Sequence, residues 1–424
     1  MLRTAMLSSR LNSRTSQSMP RFDLAHLSPE AQLLVLLART SANGTLQVEI
    51  QDRLRDGVDW NLLWQLARTH GVAPLVYRML LSHGRGAVPI ETMETFRRHV
   101  QSWAMVSQLL IDELASLVED FAAHGLGVVP LSGPTAALMA YGDLALRECR
   151  DLDFIVRKDS LVQVRRLLWS CGYHLVGQYG APDGEQLEPS YSFVKKNGMF
   201  RVNLESAMAG RHVACDLDRH EFWQALKPMR IGQRTISTLG VEELLIGLCV
   251  RGSIRLWEDL RSVCDVAELV YRRRAIDWSR VLFLSREWRC RRLFLMGLAT
   301  GHTLFDTPLP PLVQMAIAAD PDIPHLARKM PKQLLRVRQD GIGPADAEAF
   351  YLTLKDTWKE QCTYAFGLCH ADHPVARKPP AWVRFHGRLN LMRRLFHPVR
   401  RVEAWCACLQ GLGKSFVRWL EISG

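Results

Sequence analysis

No apolar run in this chain approaches the ~20 residues that a membrane-crossing helix needs. The longest, such as Leu33–Ala38 and Leu244–Val250, are far shorter, so a soluble protein is expected. No Cys-x-x-Cys pair occurs among the ten cysteines and nothing resembles a secretory signal. A disulfide framework is therefore not expected, and a reducing cytoplasm is the expected compartment. Most of the cysteines sit inside apolar helical patterns, where a free thiol acts as a small hydrophobe. Cys369-His370 with His373 lacks a second ligand pair at a convincing spacing, which argues against a zinc site. The first twenty-two residues hold Arg3, Arg10, Arg14 and Arg21 but no acid. That composition is compatible with a transit peptide, and a disordered start over residues 1–27 accounts for it more simply. There is no internal repeat and no long low-complexity segment.

What the chain does have is length and charge. Its 424 residues, 48% hydrophobic and 23% charged, supply a core for two or three domains, or for one α/β unit wrapped by helices. The net charge of +11 attracts polyanions without specifying a fold. From Arg377 onward ten Lys or Arg stand against only Glu403 and Glu421, interleaved with Trp382, Phe385, Phe396, Trp405, Phe416 and Trp419. Such a region can bind nucleic acid or lie on an anionic surface. A helix that packs its aromatics inward and solvates its arginines is the plainer reading.

Residues 28–123 read as helical. Ser28 caps a helix with Pro29 in its first turn, a second stretch runs from Trp60 to Leu81, and a third from Glu91 to Ala123. The pattern changes over 124–240. A short apolar run, Val128–Leu131, meets the turn Ser132-Gly133-Pro134, and a helix begins at Thr135. Arg150–Val156 alternates as a half-buried strand does. Ser160 is the expected cap of a helix over Leu161–Ser170, and Lys196-Asn197-Gly198 is a hairpin turn between Tyr191–Val194 and Met199–Glu205. Helices return over 241–306, at roughly Val241–Arg251, Trp257–Arg272, Trp278–Trp288 and Cys290–Phe305. A linker at Thr307–Pro311 leads into a basic helical region, 307–424. The expected class is α+β: a small mixed sheet with flanking helices, embedded between helical N- and C-terminal regions.

Asp151 and Asp153 are two apart on the expected strand, so both carboxylates leave one face. Side by side they repel unless a cation sits between them, and Mg²⁺ (or Mn²⁺) suits carboxylate oxygens while leaving positions for phosphate. Upstream, Ser132-Gly133 opens a helix where backbone N–H groups can hold phosphates. Downstream, Asn203 and Glu205 share a face of another strand, and Glu205 is the third acid that would complete a two-metal site. The bland reading of the Asp pair is a solvent-facing strand with Arg147 and Arg150 as ion-pair partners. Asp216-Leu217-Asp218, a second Asp-x-Asp, reads as helix capping. Asp265 reads as a helix residue paired with an arginine, and His70 as a capping or packing residue.

Leu131-Ser132-Gly133, Ala137 to Tyr141, Arg147, Asp151–Val156 and Gly172-Tyr173 together resemble the signature of the uncharacterised nucleotidyltransferase family within the polymerase-β superfamily. Trp64 to Tyr77 and Trp257 to Leu269 are similar to that family's flanking helical segments. The resemblance covers roughly residues 28–305. It implies a polymerase-β-like sheet and metal-dependent transfer of a nucleoside monophosphate from a nucleoside triphosphate to an acceptor that is a small molecule, sugar or peptide. Catalysis would fall to Asp151, Asp153 and Glu205, with Asn203 joining them as a metal ligand. Ser132, Gly133 and Thr135 would contact the triphosphate. Ser132 stands where the family has Lys, Pro134 where a Ser is common, and Arg251-Gly252 where His-Gly is usual. A module that keeps the fold only to bind nucleotide or a partner protein remains the alternative.

Overall fold

The computed structural model describes residues 22–364, apart from 180–189, 207–219, 336–343 and the single positions 56, 85, 197, 274 and 363. The basic C-terminal stretch, Cys369-His370 with His373, and Asp216-Leu217-Asp218 lie outside the described residues. Five helices come first: α1 (Pro29–Leu37), α2 (Gly44–Arg55), α3 (Trp60–Thr69), α4 (Ala73–His83) and the long α5 (Ile90–Ala123). Ser28 caps α1 by accepting from the Ala31 N–H at 3.3 Å. The stretch Trp60–Leu81, continuous by periodicity, is two helices. Gly71 takes a left-handed φ of 65° between them, and a side chain there would press on the Arg261 guanidinium. The polar helix α2 buries only Leu46, Ile50 and Leu54, a stripe one residue wide.

The sheet follows: β1 (Val128–Pro130), α6 (Pro134–Ala140), β2 (Asp151–Val156), α7 (Leu161–Ser170), β3 (Tyr173–Tyr179), β4 (Ser190–Lys195) and β5 (Arg201–Glu205). Strand order is β1-β2-β5-β4-β3. Only β2 and β5 run parallel, in a register that sets Asp151 beside Arg201, Asp153 beside Asn203 and Ile155 beside Glu205. Ser160 does not cap α7 with its side chain; its hydroxyl accepts from the Gly127 N–H at 3.1 Å instead. A small helix, α8 (His220–Gln224), and a separate hairpin of β6 (Lys227–Ile231) and β7 (Arg234–Thr238) complete this part. Helices α9 (Val241–Ile254), α10 (Leu260–Arg272), α11 (Trp278–Glu287), α12 (Arg291–Phe305), α13 (Pro311–Ala318), α14 (Asp322–Leu334) and α15 (Pro344–Thr353) close the described chain. The class is α+β, a mixed five-stranded sheet among helices.

The pleat of β2 divides two cores. Leu152, Phe154 and Val156 face one side and pack with Val202, Leu204 and the apolar stripes of α5 and α7. Ile155 faces the other side and joins a larger core built from Leu33–Leu37, α9, α10 and α12. Asp151 and Asp153 share the Ile155 side by the period of two, so the Asp pair faces the helices rather than bulk solvent. Among the described residues, no helix is long and apolar enough to cross a membrane.

Candidate functional site

The turn between β1 and α6 rests on the Asp pair. Leu131 N–H donates to the Asp153 carbonyl at 2.9 Å. Gly133 holds a φ of 77°, and a Cβ there would stand 3.3 Å from the Asp151 carbonyl oxygen, so glycine lets the turn lie flat on β2. The Ser132 hydroxyl donates to Asp153 Oδ2 at 2.6 Å. Thr135 is buried and its hydroxyl donates to the Ser132 carbonyl at 3.3 Å; it fastens the turn and does not line the cleft.

Parallel pairing brings Asn203 alongside. Its Nδ2 donates to Asp153 Oδ1 at 2.9 Å and reaches Asp151 Oδ2 at 3.4 Å, so one amide converges on both carboxylates. Glu205, one pleat deeper, is held apart from the pair by Arg251 of α9. One Arg251 nitrogen donates to Asp153 Oδ2 at 2.9 Å and another to Glu205 Oε1 at 3.0 Å. The three side chains retain 10%, 7% and 20% of their exposure. Burial alone would raise the Asp153 pKa, but the charges of Arg251 and Arg255 and hydrogen bonds from Ser132 and Asn203 outweigh it and hold Asp153 well below the usual carboxylate range. Asp151 moves the other way, raised by burial and then by the Asp153 charge. Burial also raises Glu205, against the pull of Arg251.

The surrounding cleft is lined by Ser132, Gly133, the Asp pair and five arginines: Arg147, Arg150, Arg251, Arg255 and Arg261. Besides Arg251, two of these serve internal partners. Arg147 grips Asp265 through Nε and a terminal nitrogen at 2.8–2.9 Å, and Tyr141 donates to the same carboxylate at 2.8 Å. Arg261 pairs with Asp259 at 2.8 Å and donates to the Glu148 carbonyl at 2.7 Å. Arg150 and Arg255 are exposed, and their side chains have no hydrogen-bond or ion-pair partner among the described residues.

The turn that carries Arg255 is strained. Leu256 and Trp257 both take left-handed φ, 54° and 52°, a conformation that costs a non-glycine residue about 1–2 kcal/mol. The buried Trp257 ring lies against Gly252, where an added Cβ would sit 2.4 Å from it. Trp257, expected to begin a helix, therefore belongs to this turn, and α10 starts at Leu260, capped by Asp259. His70 Nδ1 accepts from the Leu260 N–H at 3.4 Å.

The bland reading of the Asp pair fails in its partners: Arg147 serves Asp265, and Arg251 serves Asp153. Asp265 does pair with an arginine, as its helical position suggested. Arg251 and Arg255 stand one helical turn apart in the sequence, which places both on one helix face, but nothing local says that this face meets β2. Among the described residues no group of three or more His, Cys, Asp or Glu side chains is arranged to hold a metal. The oxygens that converge do fit one hard divalent cation. Asp151 is nearly free, its closest cation being Arg201 at 3.8 Å. Asp153 Oδ1 accepts only from Asn203 among the described hydrogen bonds, and that amide, turned over, would present its oxygen to the same point.

A comparison with solved structures finds an antigenic nucleotidyltransferase-like protein from Paracoccidioides brasiliensis at 14% sequence identity, covering 52% of this chain and 92% of that one, with a TM-score of 0.30. No curated protein matches the chain. A family model described as uncharacterised nucleotidyltransferase matches residues 56–306, from the position after α2 to the position after α12. With more than half of its length inside that match, the chain belongs to the uncharacterised nucleotidyltransferase family.

Proposed function

We propose that the cleft over β2 transfers a nucleoside monophosphate from a nucleoside triphosphate to an acceptor oxygen. The observation that carries this reading is the convergence of Asp151, Asp153 and Asn203 on one point, beneath a glycine turn and beside unpaired arginines. A Mg²⁺ or Mn²⁺ ion held by these three would bind the triphosphate and take up charge that develops on its oxygens. Arg251 and Ser132 keep Asp153 ionised and fixed in orientation. Arg150 and Arg255 face the phosphates, and Ser132-Gly133 forms the floor they rest on. The acceptor oxygen attacks the α-phosphorus, the bond from that phosphorus to the bridging oxygen breaks, and pyrophosphate leaves. Positioning and electrostatics carry such a reaction, with little covalent work for the protein.

Binding of nucleotide without turnover is the second reading, favoured by the Arg251 bridge that ties Glu205. Calorimetric titration of the four ribonucleoside triphosphates with Mg²⁺, on wild type and on Asp151→Asn/Asp153→Asn, tests the site. Metal-dependent binding by wild type alone is the expected result, and equal binding by the double variant would sink the assignment. Release of pyrophosphate from the bound triphosphate then separates transfer from mere binding.

A further inference from the structure

A carboxylate offers about four lone-pair sites, and a carboxylate shared by two metals must give an oxygen to each. Asp153 cannot do so as it is placed here. Its Oδ2 already accepts from the Ser132 hydroxyl at 2.6 Å and from Arg251 at 2.9 Å. Only Oδ1, beside Asp151, has capacity left. Glu205, the acid that would face a second metal, gives Oε1 to the other arm of the same guanidinium. Asn203 stands level with Asp153 and brings no charge.

Charge points the same way. Asp151, Asp153 and Glu205 carry three negative charges, Arg251 returns one and Arg201, 3.8 Å from Asp151, another, so these side chains by themselves call for no more than one divalent cation. Arg255, whose guanidinium feels Arg251 as its strongest neighbour, adds positive charge that a second dication would have to oppose.

From this geometry we infer that Arg251 is a fixed cation occupying the second-metal position, so that the site takes one divalent cation and uses an acceptor whose oxygen is already ionised. The consequence for the acceptor is chemical. A second metal activates a hydroxyl by lowering its pKa, and a guanidinium has no lone pair or open coordination position with which to do so. Glu205, the alternative base, is tied to Arg251. A carboxylate or phosphate needs neither device, and the unpaired Arg150 and Arg255 at the mouth suit an oxyanion. Attack by such an oxygen forms a mixed anhydride or phosphoanhydride, the α–β bridge breaks, pyrophosphate leaves, and no proton has to be removed.

This inference rests on the reading of the Asp pair as a nucleotide-bound cation site, and the test separates the two. Mn²⁺ is titrated into the full chain with a nucleoside triphosphate analogue whose α–β bridge is a methylene, and bound Mn²⁺ is counted by electron paramagnetic resonance. Wild type is expected to hold one ion per chain and Arg251→Met two. Two ions in wild type, or one in both proteins, would overturn the inference while leaving the nucleotide site standing. No bound ion in either would overturn the site itself, and the inference with it. Arg251→Lys, which keeps the charge, is expected to return the count to one. Where label from an α-labelled triphosphate enters a cell-extract acceptor, the linkage should be cleaved by hydroxylamine or show the coupled phosphorus resonances of a phosphoanhydride. A hydroxylamine-stable phosphodiester would overturn the acceptor class.

Discussion

At the scale of single residues, the side chains that face the cleft from the strands were legible and those that arrive from the helices were not. A spacing of two on an alternating strand is enough to put Asp151 and Asp153 on one face. The same rule groups Asn203 with Glu205, but it cannot say which of the two stands level with the pair. Register decides that: parallel pairing sets Asn203 against Asp153 and Glu205 against Ile155. Arg251 is separated from Asp153 by 98 positions, and no local pattern links them. Asn203→Asp is a direct probe of the convergence. A third carboxylate beside two others is repelled unless a cation is present, so the variant should be less stable than wild type without metal. Added Mg²⁺ should raise its melting temperature by more than it raises that of wild type. An equal response of both proteins to Mg²⁺ would mean that position 203 does not face the cation.

At the scale of elements, periodicity found most of the helices and failed at their junctions. Trp257 reads as the first residue of a helix, yet it and Leu256 before it take left-handed backbone, and Trp257 gains a fully buried seat against Gly252. The hairpin of β6 and β7 is hard to read from sequence since its strands are largely exposed and alternate over only their last three residues. The junction before α10 depends on Asp259. It accepts from the Ser262 N–H at 2.8 Å and the Ser262 hydroxyl at 2.7 Å, and it holds Arg261 against the cleft wall. Replacing it with Ala should cost about 1–2 kcal/mol of stability through the lost cap. Burial works to raise the Asp259 pKa, but Arg261 and the Ser262 hydrogen bonds prevail and lower it. Between the depressed native value and the ordinary one near about 4, the unfolded chain binds more protons, so this stabilisation is present above about pH 4 and is lost as pH falls below it. Asp259→Asn keeps a capping oxygen but not the charge. Urea unfolding across this range should show wild type losing stability faster than Asp259→Asn as the pH drops, and parallel curves would remove Asp259 from the acid limb.

At the scale of the molecule, the family match spans residues 56–306, but the core does not stop at those limits. Leu33, Leu34 and Leu37 of α1 are fully buried in the larger core, as are Ile323 and Ala327 of α14. Each buried leucine or isoleucine contributes about 1.5–3 kcal/mol. Losing α1 and α14 together would therefore remove an amount comparable with the whole stability of an ordinary domain, about 5–15 kcal/mol. Polar contacts reinforce the attachment. Arg292 at the start of α12 reaches Asp320 and Asp322 at 2.7 Å each, and Asp356 accepts from the backbone N–H groups of Arg291 and Arg292 at 2.9 and 2.8 Å. Asp356 thus satisfies the open N-terminus of α12, and Ser253, just before the turn that carries Arg255, donates to the Leu293 carbonyl in the first turn of α12 at 3.3 Å. A fragment of residues 56–306 should then lack a cooperative thermal transition and a near-ultraviolet dichroism signal, while a fragment of residues 22–364 should show both. A cooperative transition in the shorter fragment would mean that the sheet, α9 and α10 hold the arginine-lined cleft without the outer helices.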